Sequence, residues 1–268
     1  MKRLLGAAAF LFAMTACTAD ETEPASLDCE PGEFTHAPEA AVGDYTYTRS
    51  FTCPEDDALL PAVIVLHGMP GSGVLVQTNS NMDAMAEEAG FMAVYPSNPD
   101  REWDAQAEGE DAAFLGELVD RLVDDHRADP DRIYLSGFSN GGDMTLAAAV
   151  GLGERLAGAA AVVPSGTFDT LGQVETLETP IPLAAFVGVN DPRVQGQPVL
   201  DTWRTRGECT ETESSSGADF ERTAWTCAGG VPMVEYRVHG GHEWFGLPGR
   251  EDSLWASREI WDFFTALE

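Results

Sequence analysis

Six short apolar runs, separated by stretches of helical periodicity, restrict the folds open to this chain. The first, AVIVLHG from Ala62 to Gly68, is apolar at every position up to a histidine and a glycine turn. Continuous apolarity of that length suits a parallel strand covered on both faces. FMAVYP (Phe91–Pro96), RIYLSG (Arg132–Gly137), AGAAAVV (Ala157–Val163), IPLAAFVG (Ile181–Gly188) and MVEYRVHG (Met233–Gly240) repeat the pattern. Helices are expected between them at Asn81–Ala89, stopped by Gly90, at Glu110–His126 and at alanine-rich Asn140–Val150. In the second of these, Phe114, Leu118, Val119 and Leu122 recur at helical spacing and should lie on the sheet. An amphipathic helix from Ser253 to Leu267 closes the chain, with Leu254, Trp261, Phe264 and Leu267 directed inward. Alternating strand and helix predict an α/β fold: a mainly parallel central sheet with helices on both faces. The 268 residues, 44% of them apolar, suffice for one such domain. Ligands of these sheets bind at the carboxyl ends of the strands, so chemistry is expected there.

Gly137-Phe138-Ser139-Asn140-Gly141 fits G-x-S-x-G, directly behind one predicted strand and at the opening of a helix. A turn that sharp lifts a serine above the sheet and excludes side chains two residues either side of it. A glycine-rich loop is the bland alternative, and the placement between strand and helix argues against it. A serine hydroxyl is a weak nucleophile near neutral pH and needs a base. Of five histidines, His36 lies in the extended amino-terminal stretch and His126 ends a surface helix, so both are read as structural or solvated. His67 sits at a strand end, where it shapes the loop that follows. His239 and His242 remain, in VHGGHEWFG; His242 lies in the glycine loop that bends over the sheet and is the chosen base, with His239 the alternative.

An imidazole acting as base needs an orienting carboxylate. FVGVNDPRV puts Asp191 in the turn after the Ile181–Gly188 run, although Asn-Asp-Pro favours turns for purely local reasons. The chain order Ser139, Asp191, His242 is that of α/β-hydrolases, and an α/β-hydrolase fold is therefore expected. Two oxyanion donors are expected as well, the backbone N–H groups of Asn140 and of Met69 in HGMPGSG. Because the N–H acts in both cases, side-chain identity there should matter little.

The opening MKRLLGAAAFLFAMTAC has two basic residues, an apolar run and small residues up to Cys17. The run is too short to span a bilayer and reads as an export leader. MTAC resembles a bacterial lipoprotein cleavage box, which makes Cys17 a candidate for lipidation and membrane anchoring; cleavage near Ala16 or Ala19 is the other reading. Residues 18–44 are expected to form an acidic tether and amino-terminal segment, and residues 45–268 the catalytic domain. Cys29, Cys53, Cys209 and Cys227 are an even number in an oxidising compartment. Three pairings exist; Cys29–Cys53 with Cys209–Cys227 is the expected one, since each pair flanks one local excursion. Zinc is the rival use of these cysteines, but no C-x-x-C spacing supports it.

The formal net charge is -30, and Lys2, inside the leader, is the only lysine. Such a surface repels nucleic acid and anionic polymers. A solvated acidic coat explains most of the carboxylates, and a salty habitat, where the Debye length falls to about 3 Å at 1 M, is a further hypothesis.

With these residues in view, the chain resembles the secreted esterases of the polyhydroxybutyrate depolymerase and feruloyl or acetyl xylan esterase type, including the LpqC-like group of bacterial lipoproteins. The likeness runs from about Tyr45 to the last helix. It rests on VLHGMPGSG, AGFMAVYP, DPDRIYLSGFSNGGDM, VGVNDPRV and GGHEWFG, in that order, with Asp129–Met144 the most specific block. The resemblance implies a catalytic triad of Ser139, Asp191 and His242, and a paired-cysteine loop before the histidine, which Cys209 and Cys227 match. The departures are Val187-Gly188 and Val194-Gln195 in the acid loop and Trp244-Phe245-Gly246 after the histidine, which bear on specificity.

The resulting expectation is a monomeric serine carboxylesterase using no cofactor or metal. Its substrates would be feruloyl or acetyl esters of plant-wall polysaccharide, or short polyhydroxyalkanoate esters, polymeric or small. Trp103, Trp203 and Trp244 are candidate substrate platforms, with core packing the competing reading. A serine peptidase of the prolyl-oligopeptidase kind shares fold and triad but would need a gating domain. A surface-tethered binding protein would not need base and acid.

Overall fold

Every residue of β3 (Leu60–Leu66), β6 (Gly158–Val162) and β7 (Leu183–Gly188) is buried. Strands of that kind belong inside a sheet covered on both sides. The computed structural model, which describes residues 29–55, 58–192, 196–246 and 253–268, puts them in the middle of a ten-stranded sheet. The other strands are β1 (Phe34–Val42), β2 (Tyr45–Thr52), β4 (Met92–Ser97), β5 (Ala128–Phe138), β8 (Thr210–Ser216), β9 (Phe220–Thr226) and β10 (Pro232–Val238). Across the sheet the order is β1-β2-β4-β3-β5-β6-β7-β10-β9-β8. The run from β4 to β10 is parallel throughout, while β1 and β2 at one edge and β9 and β8 at the other are antiparallel.

Side chains alternate between two apolar layers, as the strand period of two requires. Ala62, Ile64 and Leu66 join the layer packed by α3 (Glu110–His126), α4 (Asn140–Leu152) and α6 (Gly196–Arg206). Val63 and Val65 join the opposite layer, packed by α1 (Gly73–Ser80), α2 (Met82–Ala89) and α7 (Ala256–Thr265). A short α5 (Phe168–Val174) follows β6. Phe114, Leu118, Val119 and Leu122 of α3 are all buried, as their spacing predicts.

Strands β1, β2, β8 and β9 and helix α1 lie outside the apolar runs read from the sequence. Helix α1 leaves Val74 and Leu75 exposed, so its apolar residues do not mark its inner face. Strand β8 is exposed at every position, and its sequence TETESSS has no alternation to read. The β1–β2 hairpin crosses Tyr45, where the sequence set the start of the catalytic domain, and β1 is the edge strand of the same sheet. The disulfides Cys29–Cys53 and Cys209–Cys227 each close the open end of an edge hairpin. Cys17 and the leader lie outside the described residues, as do Val194 and Gln195. Among the described residues no helix is long and apolar enough to cross a membrane, and no His, Cys, Asp and Glu side chains cluster as a metal site.

Candidate active site

Strand β5 ends at Phe138 and α4 starts at Asn140, leaving Ser139 alone in the turn with φ 56° and ψ −119°. A non-glycine residue with positive φ is uncommon and is tolerated where the surroundings over-determine it. Here they do. A Cβ on Gly137 would come within 2.1 Å of the Gly141 carbonyl oxygen, and one on Gly141 within 2.5 Å of the His67 carbonyl oxygen. Ser139 N–H donates to the Val162 carbonyl (2.9 Å), and the Ser139 carbonyl accepts from Asp143 N–H (3.0 Å). Glycine on either side is thus the condition for strand, turn and helix to meet at all.

Asp191 follows β7, and His242 lies in the loop after β10. Since β7 and β10 are neighbours, the two loops leave the sheet side by side. They are pressed together: a Cβ on Gly188 would meet the Gly241 carbonyl oxygen at 2.2 Å. Asn190 N–H donates to the Gly240 carbonyl (3.0 Å) and Val189 N–H to that of Val238 (2.9 Å). The outcome is a chain of three side chains. His242 Nδ1 lies 2.6 Å from Asp191 Oδ2, and His242 Nε2 lies 2.7 Å from Ser139 Oγ. With the carboxylate facing Nδ1, that nitrogen carries the ring proton and Nε2 is left to accept from the serine hydroxyl.

The structure brings His242, rather than the alternative His239, to the serine; His239 is exposed at the end of β10. His36 pairs with Ser50 and His126 with Tyr47, and burial holds the His126 imidazole down to about 4. His67 is buried and shapes the loop after β3. Its Nε2 accepts from Asn98 N–H (3.2 Å), so Nδ1 carries the proton and donates to the Gly68 carbonyl (2.9 Å). Burial lowers its pKa below the usual imidazole value. Met69 and Gly68, from the same loop, line a cavity of about 110 Å³ with Leu75, Phe138, Ser139 and His242. Asn140 opens α4, where backbone N–H groups have no intrahelical partner.

Two expectations are corrected. The Asn140 side chain is not incidental: its Oδ1 accepts from Trp103 N–H (2.7 Å) and its Nδ2 donates to the Trp103 carbonyl (2.9 Å). That pair pins the segment after β4 to the start of α4. The tryptophans are core residues, not platforms: Trp103, Trp203 and Trp244 are 2%, 0% and 7% exposed. The Trp103 indole donates to the His67 carbonyl (2.9 Å) and that of Trp244 to Ser257 Oγ (2.9 Å), so both polar edges are satisfied inside.

Sequence reasoning also missed a buried carboxylate one helical turn past the serine. Asp143 is fully buried and accepts from the backbone amides of Ser165 (3.2 Å) and Gly166 (2.8 Å). Burial pushes its carboxyl up to about 6, against the opposing pull of those amides and of the Thr170 and Ser165 hydroxyls. A lone aspartate inside GFSNGGDM carries no signal of its own; only its depth reveals it.

The mainly parallel sheet with helices on both faces is the α/β-hydrolase fold. The acetyl xylan esterase from Aspergillus awamori superposes with a TM-score of 0.66 over 87% of this chain and 99% of that one, at 16% identity, a likeness of fold. In sequence, residues 50–169 match the family model described as Esterase PHB depolymerase. The bifunctional acetylxylan esterase/xylanase XynS20E of Neocallimastix patriciarum is 28% identical over 76% of this chain. Feruloyl esterase C of Emericella nidulans is 27% identical over 73% of it. In sequence the chain is thus similar to the polyhydroxybutyrate depolymerase-like feruloyl and acetyl xylan esterases. It spans 30% of the length of the Neocallimastix protein and 72% of feruloyl esterase C.

Proposed function

We propose that this protein is a serine carboxylic ester hydrolase in which Ser139 is the nucleophile, His242 the general base and acid, and Asp191 the orienting acid. The observation that carries the reading is the continuous hydrogen-bonded path from Ser139 Oγ through His242 to Asp191, at 2.7 and 2.6 Å. Ser139 Oγ attacks the ester carbonyl carbon as its proton passes to Nε2, and Asp191 stabilises the imidazolium that results. The carbonyl oxygen becomes an oxyanion held by the amides of Asn140 and Met69. Collapse expels the alcohol, which takes the proton from Nε2, and leaves an acyl-serine. Water then adds by the same route and releases the acid.

The proposed substrates are acetyl or feruloyl esters of plant-wall polysaccharide and short polyhydroxyalkanoate esters, the former in keeping with the relatives' names. The open cleft beside Ser139 is small, about 110 Å³, and lined by Leu75, Val76 and Phe138, which favours a short acyl group, so acetyl esters are proposed to be preferred. The two disulfides fit an extracellular location. Export by the amino-terminal leader, with lipid on Cys17, completes the proposal, and the catalytic domain is taken to act as a monomer.

The test compares wild type with Ser139→Ala on p-nitrophenyl acetate and butyrate, methyl ferulate, acetylated xylan and short polyhydroxybutyrate. Loss of turnover in the variant, with acetate above ferulate in the wild type, is expected. Two equally inert proteins would overturn the esterase reading.

A further inference from the structure

Ser139 Oγ has a second neighbour besides His242. Ser165 Oγ lies 3.3 Å from it. The proton count decides which hydroxyl donates. Nδ1 of His242 faces the Asp191 carboxylate, so Nε2 is the acceptor and Ser139 gives it its only proton. The remaining bond must therefore run from Ser165 to Ser139 Oγ.

The loop carrying Ser165 is not one a chain adopts without support. It leaves β6 through Val163, whose φ is 42°, an unusual conformation for a β-branched residue. The support comes from α4: the Asp143 carboxylate takes the consecutive amides of Ser165 and Gly166, one on each oxygen. Downstream, Thr167 caps α5, accepting from Thr170 N–H (3.1 Å), and Thr170 is itself buried. The same helix turn thus holds both ends of the contact. Asp143 N–H donates to the Ser139 carbonyl, while its side chain holds Ser165.

We propose that Asp143 and Ser165 are a positioning pair for the nucleophile, resting on the reading of Ser139 given above. Asp143 fixes the loop, and Ser165 donates a hydrogen bond that holds Ser139 Oγ in the rotamer facing the substrate carbon. The same bond assists when water has added to the acyl-enzyme. The bond from Oγ to the acyl carbon then breaks, Oγ takes its proton from His242, and Ser165 keeps its own while stabilising the departing oxygen. An asparagine at position 143 offers one carbonyl oxygen where two amides ask for acceptors, so the loop would lose one of its two ties.

The experiment uses the whole chain with Ser165→Ala, Ser165→Thr and Asp143→Asn beside wild type and Ser139→Ala. Readouts are kcat and KM on p-nitrophenyl acetate, the rate of phosphonylation by a serine-reactive fluorophosphonate, and Tm. Ser165→Ala is expected to lower kcat and phosphonylation about tenfold, with KM and Tm little changed, since one hydrogen bond to a reacting atom is lost. Ser165→Thr, which keeps the hydroxyl, should recover most of that loss, and Asp143→Asn should fall at least as far as Ser165→Ala. Wild-type rates in Ser165→Ala would overturn the pair while leaving Ser139 as nucleophile. Equal losses in the alanine and threonine variants, tracking a fall in Tm, would overturn it as well by reducing Ser165 to a packing role. A wild type that neither turns over ester nor takes the phosphonate would overturn both this inference and the triad reading beneath it.

Discussion

The six parallel strands and the antiparallel hairpins beside them are held in place by different means. Strands β3, β6 and β7 are buried at every position, and loops at the carboxyl ends of β5, β7 and β10 carry Ser139, Asp191 and His242. Strand β8 is exposed at every position, and each edge hairpin is closed by a disulfide. Burial on two faces leaves a strand little freedom to shift, because a slip of one residue would send every side chain into the opposite layer, whose close-packed neighbours it does not fit. Strand β8, exposed throughout, has no such restraint, and a covalent link at the open end of its hairpin takes over. The proposed triad lies at the ends of strands in the buried centre, and the cross-links lie at the edges.

The contrast can be broken most sharply at the centre. Ser139→Ala is expected to lower turnover by about a thousandfold or more without unfolding the chain; an intact Tm with retained activity would mean the nucleophile is elsewhere. Gly141→Ala should destabilise by about 3 kcal/mol, the upper range for forced overpacking, because its Cβ would meet two backbone carbonyls at 2.5 and 2.6 Å. Denaturant titration measures it, and a loss under about 1 kcal/mol would show the elbow to be loosely packed.

At the edge, Cys209→Ser with Cys227→Ser should also cost about 3 kcal/mol, by release of a loop spanning 18 residues. Here kcat of the still-folded protein should stay near wild type, and a large fall in kcat would tie the edge to the site. Asp143 supplies a pH test of the centre. Its carboxyl is raised from 3.8 to about 6, so in that window the folded chain holds a proton that the unfolded chain has released. That contribution is present below about pH 4 and lost as pH rises through 6, at most about 3 kcal/mol. The stability of wild type relative to Asp143→Asn should therefore fall between pH 4.5 and 7.5, and a constant difference would remove the effect. The smallest change expected is a rise of a few degrees in Tm in 1 M salt, as the net charge of -30 is screened to about 3 Å. A flat Tm would argue against adaptation to a salty habitat.

Much of the site was legible because its constraints are local or ordinal. Ser139 stood out through the glycines at 137 and 141, which the turn demands whatever the remaining fold. Asp191 and His242 followed from their order and their places after apolar runs. Ser165, the Asn140 side chain and Asp143 had no such mark, since a hydroxyl, an amide or a carboxylate in a loop or helix becomes informative only through what it touches. Trp103, Trp203 and Trp244 failed in the opposite direction: an aromatic near a loop fits a platform or a core equally well until burial is known.

What the sequence by itself determined was the parallel centre and the sharp turn that carries Ser139, the proposed nucleophile, because continuous apolar runs and obligatory glycines are consequences of burial and sterics within a few residues. Only the tertiary structure decided that β1 and β8 are edge strands, that Tyr45 falls within a hairpin, and that Ser165 sits against Ser139. The hairpins are set by backbone pairing that leaves no apolar run to read, and the Ser165 contact joins residues 26 apart, so no local pattern records what brings these segments together.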